Sequence, residues 1–144
     1  MFKINEKDFD QFRESFERAK GIELPDDYVF FLKKVDLPDF LEVNFSQHEF
    51  ANATVIKNWY GFGVRNEINL NTNYDFYVSS GRVPSEVLPI AEDVAGNLFC
   101  LGLKGDSQGR IYFWDHEEEL NVENLSDLTV VANTFRDFIR AIAT

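Results

Sequence analysis

Apolar residues recur every three or four positions near the start of the chain, which predicts an amphipathic helix. Asn5 is a suitable N-cap, and acidic residues follow it in the first turn, where the helix dipole favours them. Gly21 is placed to end this helix. The predicted inner stripe consists of Phe9, Phe12, Phe16 and Ala19.

A second helix is predicted to begin at Pro25, because a first helical position does not need the N–H that proline lacks. Leu37-Pro38 would end it, since the residue before a proline is pushed out of the helical conformation. Its predicted inner stripe consists of Tyr28, Phe31, Leu32 and Val35.

Beyond the second helix, short apolar and alternating runs predict strands. Turns are expected near Asn58 and at Val94–Asn97, and Lys104–Gly109 reads as a polar, glycine-containing connector. The predicted strands are Leu41–Phe45, Thr54–Lys57, Trp59–Phe62, Leu88–Ala91, Leu98–Leu103, Arg110–Trp114 and Val130–Val131.

Two further helices complete the pattern. Leu70, Tyr74, Tyr77 and Val78 have helical spacing, and a last helix is expected after a cap at Asn133 or Thr134. Its inward residues would be Phe135, Phe138, Ile139 and Ile142. Two helices, then strands, a helix, a meander and a helix predict an α+β fold with a mainly antiparallel sheet.

Length and composition narrow the class. The 144 residues, 44% of them hydrophobic, suit one domain over 1–144 with a core that needs neither disulfides nor metals. A single cysteine, Cys100, excludes an internal disulfide. The start has no long apolar stretch typical of a signal peptide, and no stretch is long enough for a membrane helix. We therefore expect a cytoplasmic protein.

The net charge of −11 repels phosphate backbones and anionic membranes, which argues against direct binding to either. It leaves two interpretations, solubility alone or a cationic partner. Two stretches contain acids but neither Lys nor Arg, namely residues 36–56 and 111–135. The second contains the densest cluster, namely Asp115, Glu117, Glu118 and Glu119 around His116.

The candidate catalytic and metal-binding motifs in the sequence each lack a required residue. His116-Glu117 starts a zinc-protease pattern, but Leu120 stands where the second histidine is required. A metal site formed by His116 and the other histidine, His48, would need a carboxylate ligand from Asp115 or Glu119. Cys100 lies inside an apolar run without a nearby base, where cysteine acts as a small hydrophobic residue. Neither catalytic residues nor a metal or cofactor are predicted.

Two alternatives stay open at this stage. Paired carboxylates for a small hydrolase exist among 25 acids, although no pair stands out. Trp59, Tyr60 and Trp114 are either interface anchors or core residues, and we favour the core because aromatic residues in strands are usually buried.

Several segments in a fixed order resemble the SUKH superfamily, the group of Smi/Knr-like domains. The resemblance spans nearly the whole chain, although Asp36–Asp39 departs from the Asn-Gly-rich turn that such domains often carry there. The segments are Leu24–Tyr28 with Phe31-Leu32, Trp59–Phe62, Leu88–Asp93, Gly96–Leu103, Gly109–Glu117 and Ala132–Ile139.

The resemblance implies a non-catalytic immunity-type domain. Bacterial members typically protect a cell by binding a polymorphic toxin, often a nuclease, whereas eukaryotic relatives act as interaction proteins in regulatory networks. We expect this chain to bind a cognate toxin with a basic nuclease domain; a regulatory interaction module is the alternative. Because nuclease active faces are cationic, an acidic docking surface is predicted. Its residues would be Asp115, Glu117, Glu118, Glu119, Glu92 and Asp93.

Overall fold

The computed structural model describes residues 6–34, 41–44, 53–62, 66–117, 125 and 128–141. The helices are α1 (Glu6–Lys20), α2 (Asp26–Lys34), α3 (Leu70–Ser79) and α4 (Phe135–Arg140). The strands are β1 (Leu41–Asn44), β2 (Ala53–Trp59), β3 (Val87–Asp93), β4 (Leu98–Gly102), β5 (Ile111–Trp114) and β6 (Thr129–Ala132). The predicted α+β class is confirmed.

Helix α1 forms where its pattern predicts, but the prediction of Ala19 as an inner residue is wrong, because Ala19 is exposed in the last turn of the helix. Phe9, Phe12 and Phe16 are buried. Gly21 ends the helix with a φ of 66°, a left-handed conformation that glycine adopts without the Cβ penalty. The Glu17 carboxylate accepts the Leu24 backbone N–H at 2.7 Å, which fixes the chain between α1 and α2.

The later helices owe their starts to side-chain caps. Asn69 Oδ1 accepts the Thr72 N–H at 2.8 Å at the start of α3, and Thr134 Oγ1 accepts the Asp137 N–H at 3.0 Å at the start of α4. Both interactions satisfy donors that a helix leaves unpaired in its first turn. The predicted helices after residue 69 and after Thr134 are thus confirmed. Asn5, Val35, Leu37-Pro38 and Ile142 lie outside the described residues.

The strands form a six-stranded antiparallel sheet in the order in which they occur along the chain. The predicted turn near Asn58 is wrong, because β2 continues from Ala53 to Trp59. Its pairing with β3 shifts register between Ile56 and Asn58, which leaves Lys57 as an extra, exposed residue in a bulge. A bulge adds one residue to a strand without ending it. Here the polar pair Lys57-Asn58 at the bulge resembles the sequence of a turn. The predicted strand to Phe62 also ends early, at Trp59.

Helices cover both faces of the sheet. Residues directly opposite on antiparallel strands share a face, so Trp59, Ala91, Phe99 and Phe113 form one row. Helices α2 and α4 pack on that face: the ring centroids of Phe31 and Trp59 are 4.9 Å apart, and those of Phe138 and Phe99 are 5.0 Å apart.

The neighbouring row, formed by Asn58, Glu92, Leu98 and Trp114, lies on the opposite face. Tyr77 of α3 contacts Trp114 there, with ring centroids 6.0 Å apart. Trp59, Tyr60 and Trp114 are at most 4% exposed, so the core interpretation of these aromatic residues is confirmed.

Candidate functional site

The turn between β3 and β4 is organised by one buried carboxylate, that of Asp93. Its Oδ1 accepts the backbone N–H groups of Ala95 and Asn97 at 2.9 and 2.8 Å. Its Oδ2 accepts the Thr54 hydroxyl at 2.8 Å and the Asn97 side-chain amide at 3.1 Å. Because both oxygens are fully used, the turn is tied to the start of β2 as well as closed on itself.

Asn97 extends this network to the end of β5. Its Oδ1 accepts the His116 backbone N–H at 3.1 Å. Gly96 has a φ of 88°, and a Cβ there would lie 3.4 Å from the His116 ring. Residues 93–97 and 115–117 are therefore in direct contact, and we call these two segments together the acidic edge.

Two carboxylates of the acidic edge face outward. Asp115 is half-exposed, and its Oδ1 accepts the Glu117 N–H at 2.9 Å, which closes a local turn. Glu117 is exposed. Both side chains can therefore reach a partner from a segment whose backbone is fixed.

Glu92 lies beside this edge, on the face of the sheet that α3 covers. It is half-buried, and its Oε1 accepts the Asn58 amide at 2.6 Å. Its charge contributes to raising the pKa of Tyr60, although burial is the main cause of that shift. Glu92 is thus partly engaged inside the protein and only partly available to a partner.

The structure separates the predicted docking residues into four groups, and the half-buried Glu92, hydrogen-bonded to Asn58, is a group by itself. Asp115 and Glu117 are accessible and adjacent. Asp93 is only 2% exposed, and both of its carboxylate oxygens accept hydrogen bonds within the protein. Its role is therefore structural, and it is not accessible as a docking residue. Glu118 and Glu119 lie outside the described residues.

The other candidate chemistries gain no support from the geometry. Burial raises the pKa of the Cys100 thiol well above its usual range, which disfavours the nucleophilic thiolate. His48 lies outside the described residues. Within the described ranges, no group of three or more His, Cys, Asp or Glu side chains is arranged to hold a metal ion. No helix in that part of the chain is long and apolar enough to span a membrane.

Sequence reasoning missed the supporting roles of Thr54 and Asn97. The turn at 94–97 was predicted, and an Asp before it followed by Gly-Asn is the local signal for a carboxylate-closed turn. Thr54 left no such signal, because it is separated from Asp93 by 39 residues.

The sequence matches the SMI1/KNR4 family (SUKH-1) over residues 3–141. It is also similar to the SPbeta prophage-derived uncharacterized protein YokK of Bacillus subtilis (strain 168). The two are 32% identical over 136 residues, which cover 83% of this chain and 66% of the relative. The chain therefore spans just under two thirds of the length of that relative.

Proposed function

The chain belongs to the SMI1/KNR4 family (SUKH-1), and from this membership we propose that it is an immunity protein that binds and neutralises a bacterial polymorphic toxin. The observation that carries the proposal is the family match over residues 3–141, nearly the full length of the chain. Members of this family act as immunity proteins that bind toxins and are generally non-catalytic. The prophage origin of the relative YokK is in keeping with a role in competition between bacteria.

We further propose that the toxin is a nuclease with a cationic active face. A nuclease has to hold a polyanion, so its active face attracts other polyanionic surfaces. This chain carries a net charge of −11, which would accelerate its encounter with such a face. Fast capture matters for an immunity protein, because every uninhibited toxin molecule continues to damage the cell.

The acidic edge is the surface that we propose for docking. Asp115 and Glu117 are accessible on a fixed backbone, and Glu118 and Glu119 follow directly in the sequence. Glu92 would add a partly exposed carboxylate on the neighbouring sheet face. Complementary charges at such a surface would set both the orientation and the speed of association.

A growth experiment tests the proposed function. The nuclease-toxin gene nearest to the gene of this chain in the source genome supplies the toxin domain, which is expressed from an inducible promoter, with and without the chain. Protection from cell death, together with inhibition of the purified nuclease in a stoichiometric complex, is the expected result. Cells that die equally in both cases would overturn the proposal. A partner that is not a toxin would favour a regulatory interaction module of the same family.

A further inference from the structure

The turn of the acidic edge presents an apolar residue to solvent. Val94 is 54% exposed and, among the residues that the structure describes, is one of three large hydrophobic side chains that are exposed; the others are Phe30 and Phe76. Ala95 beside it is also exposed. Turns of this kind normally carry Asn, Asp, Ser or Gly, and a β-branched residue is a poor local choice. Departures from local preference concentrate at functional positions.

The exposure of Val94 is imposed by its backbone contacts. Its N–H donates to the Val55 carbonyl at 3.0 Å, which ties the turn to β2. The preceding Asp93 carboxylate closes the turn, and the following Gly96 packs beneath the His116 ring. A side chain held in this way loses little conformational freedom when a partner covers it, so its burial contributes more fully to affinity.

The charges around Val94 define the partner. Asp115 and Glu117 lie on the segment that Asn97 holds against this turn. Among the residues that the structure describes, the β2 bulge contributes one basic side chain, Lys57, whereas Lys104 and Arg110 lie at the opposite ends of β4 and β5. An apolar centre bordered by charged groups is the usual anatomy of a protein interface.

We propose that Val94 is the apolar anchor of the docking surface and inserts into an apolar recess, bordered by Lys or Arg side chains, on the toxin. This inference rests on the proposed function. Burial of the apolar Val94 side chain would add a contribution to affinity that salt does not screen. The acidic residues would govern the rate of association, and Val94 would govern the lifetime of the complex.

The test is Val94→Asn, with the full chain and the purified toxin domain of the growth experiment as the probe. Asparagine favours the turn, so the melting temperature should stay the same or rise. We expect a loss of affinity of about tenfold or more, carried by faster dissociation and equal in low and high salt. The matched control is Phe30→Gln, which removes an exposed apolar side chain from α2 and should leave affinity unchanged.

The outcomes separate this inference from the function on which it rests. If the unaltered protein binds the toxin and Val94→Asn binds it equally well, the anchor is wrong while the immunity function stands. An equal loss in Phe30→Gln would also overturn the anchor, because the effect would not be local. If the unaltered protein neither binds nor protects, the proposed function fails and the anchor fails with it.

Discussion

Asp93 and Asn97 are joined by three hydrogen bonds: the Asn97 backbone N–H donates to Asp93 Oδ1 at 2.8 Å, the Asn97 amide donates to Asp93 Oδ2 at 3.1 Å, and the Asp93 backbone N–H donates to the Asn97 carbonyl at 2.9 Å. The same pair reaches Thr54 of β2 on one side and His116 after β5 on the other. Three parts of the chain that are distant in sequence therefore meet at this pair. The shape of the acidic edge depends on it.

Replacing the Asp93 carboxylate by an amide should destabilise the fold. In Asp93→Asn an NH2 group replaces one carboxylate oxygen. Because both oxygens accept hydrogen bonds in the native protein, the NH2 group would face other donors, and those buried donors would lose their acceptor. We expect the free energy of unfolding to fall by about 1–3 kcal/mol. Urea titration measures it, with the same exchange at the exposed Asp106 as the control. Equal changes in both variants would contradict the structural role of Asp93.

Gly102, at the end of β4, should not accept a side chain. A Cβ at this position would overlap the Ser107 carbonyl oxygen, because the short helical turn Gly105–Ser107 folds back over the strand. We expect Gly102→Ala to lower the free energy of unfolding by about 3 kcal/mol or more.

Gly105→Ala in the same connector is the matched control. Gly105 has a φ of 56° with open space around it, so alanine there meets only the left-handed backbone penalty of about 1–2 kcal/mol. Thermal or urea unfolding of the two variants compares them directly. Losses of equal size would show that the close approach of Ser107 does not limit Gly102.

Stability should fall in alkaline solution. Burial, with smaller contributions from Asp75 and Glu86, raises the pKa of Tyr74 to about 12, and burial also raises the pKa of Cys100. In the unfolded chain these groups ionise near their ordinary values, about 10 for Tyr and about 8.5 for Cys. Above those values the unfolded state loses protons that the native state keeps, so stability present at neutral pH is lost as pH rises.

The measurement is the urea midpoint at several pH values between about 8 and about 11. Tyr74→Phe removes one of these groups, so above the ordinary tyrosine pKa its stability should decline less steeply with pH. Its stability at neutral pH should be lower, because the Tyr74 hydroxyl donates to the Ser85 carbonyl at 3.0 Å. An unchanged slope in the variant would contradict the shift assigned to Tyr74.

Charge reversal should separate local docking from general attraction. Glu117→Lys, Glu118→Lys and Glu119→Lys together should weaken toxin binding by about tenfold or more and flatten its dependence on salt. The control reverses three exposed acids elsewhere, Glu23, Asp75 and Asp106, and changes the net charge equally.

Calorimetric or surface-based titration at low and high salt compares the two triple variants. A large loss only in the first triple supports docking at the acidic edge. Equal losses would mean that net charge steers the toxin and that these three glutamates have no special position. Unchanged affinity and salt dependence in both would remove the acidic edge from the interface.

Much of the secondary structure follows from local patterns. The spacing of Phe9, Phe12 and Phe16 predicted α1, and Gly21 predicted its end, because a helix depends on contacts three and four residues apart. The alternation and length of apolar runs predicted the strands in the same way. The bulge at Lys57 escaped prediction, since a bulge is defined by its pairing with a strand far away in sequence.

The sequence by itself determined the α+β class, the family and the presence of an acidic cluster after β5. Only the tertiary structure distinguished the acids from one another: Asp93 became a buried structural residue, while Asp115 and Glu117 stayed accessible. Exposure of Val94 was likewise decided by the contact of the turn with Val55. The reason is physical, because the burial of a side chain depends on partners that folding brings together from distant positions, and the local sequence does not encode them.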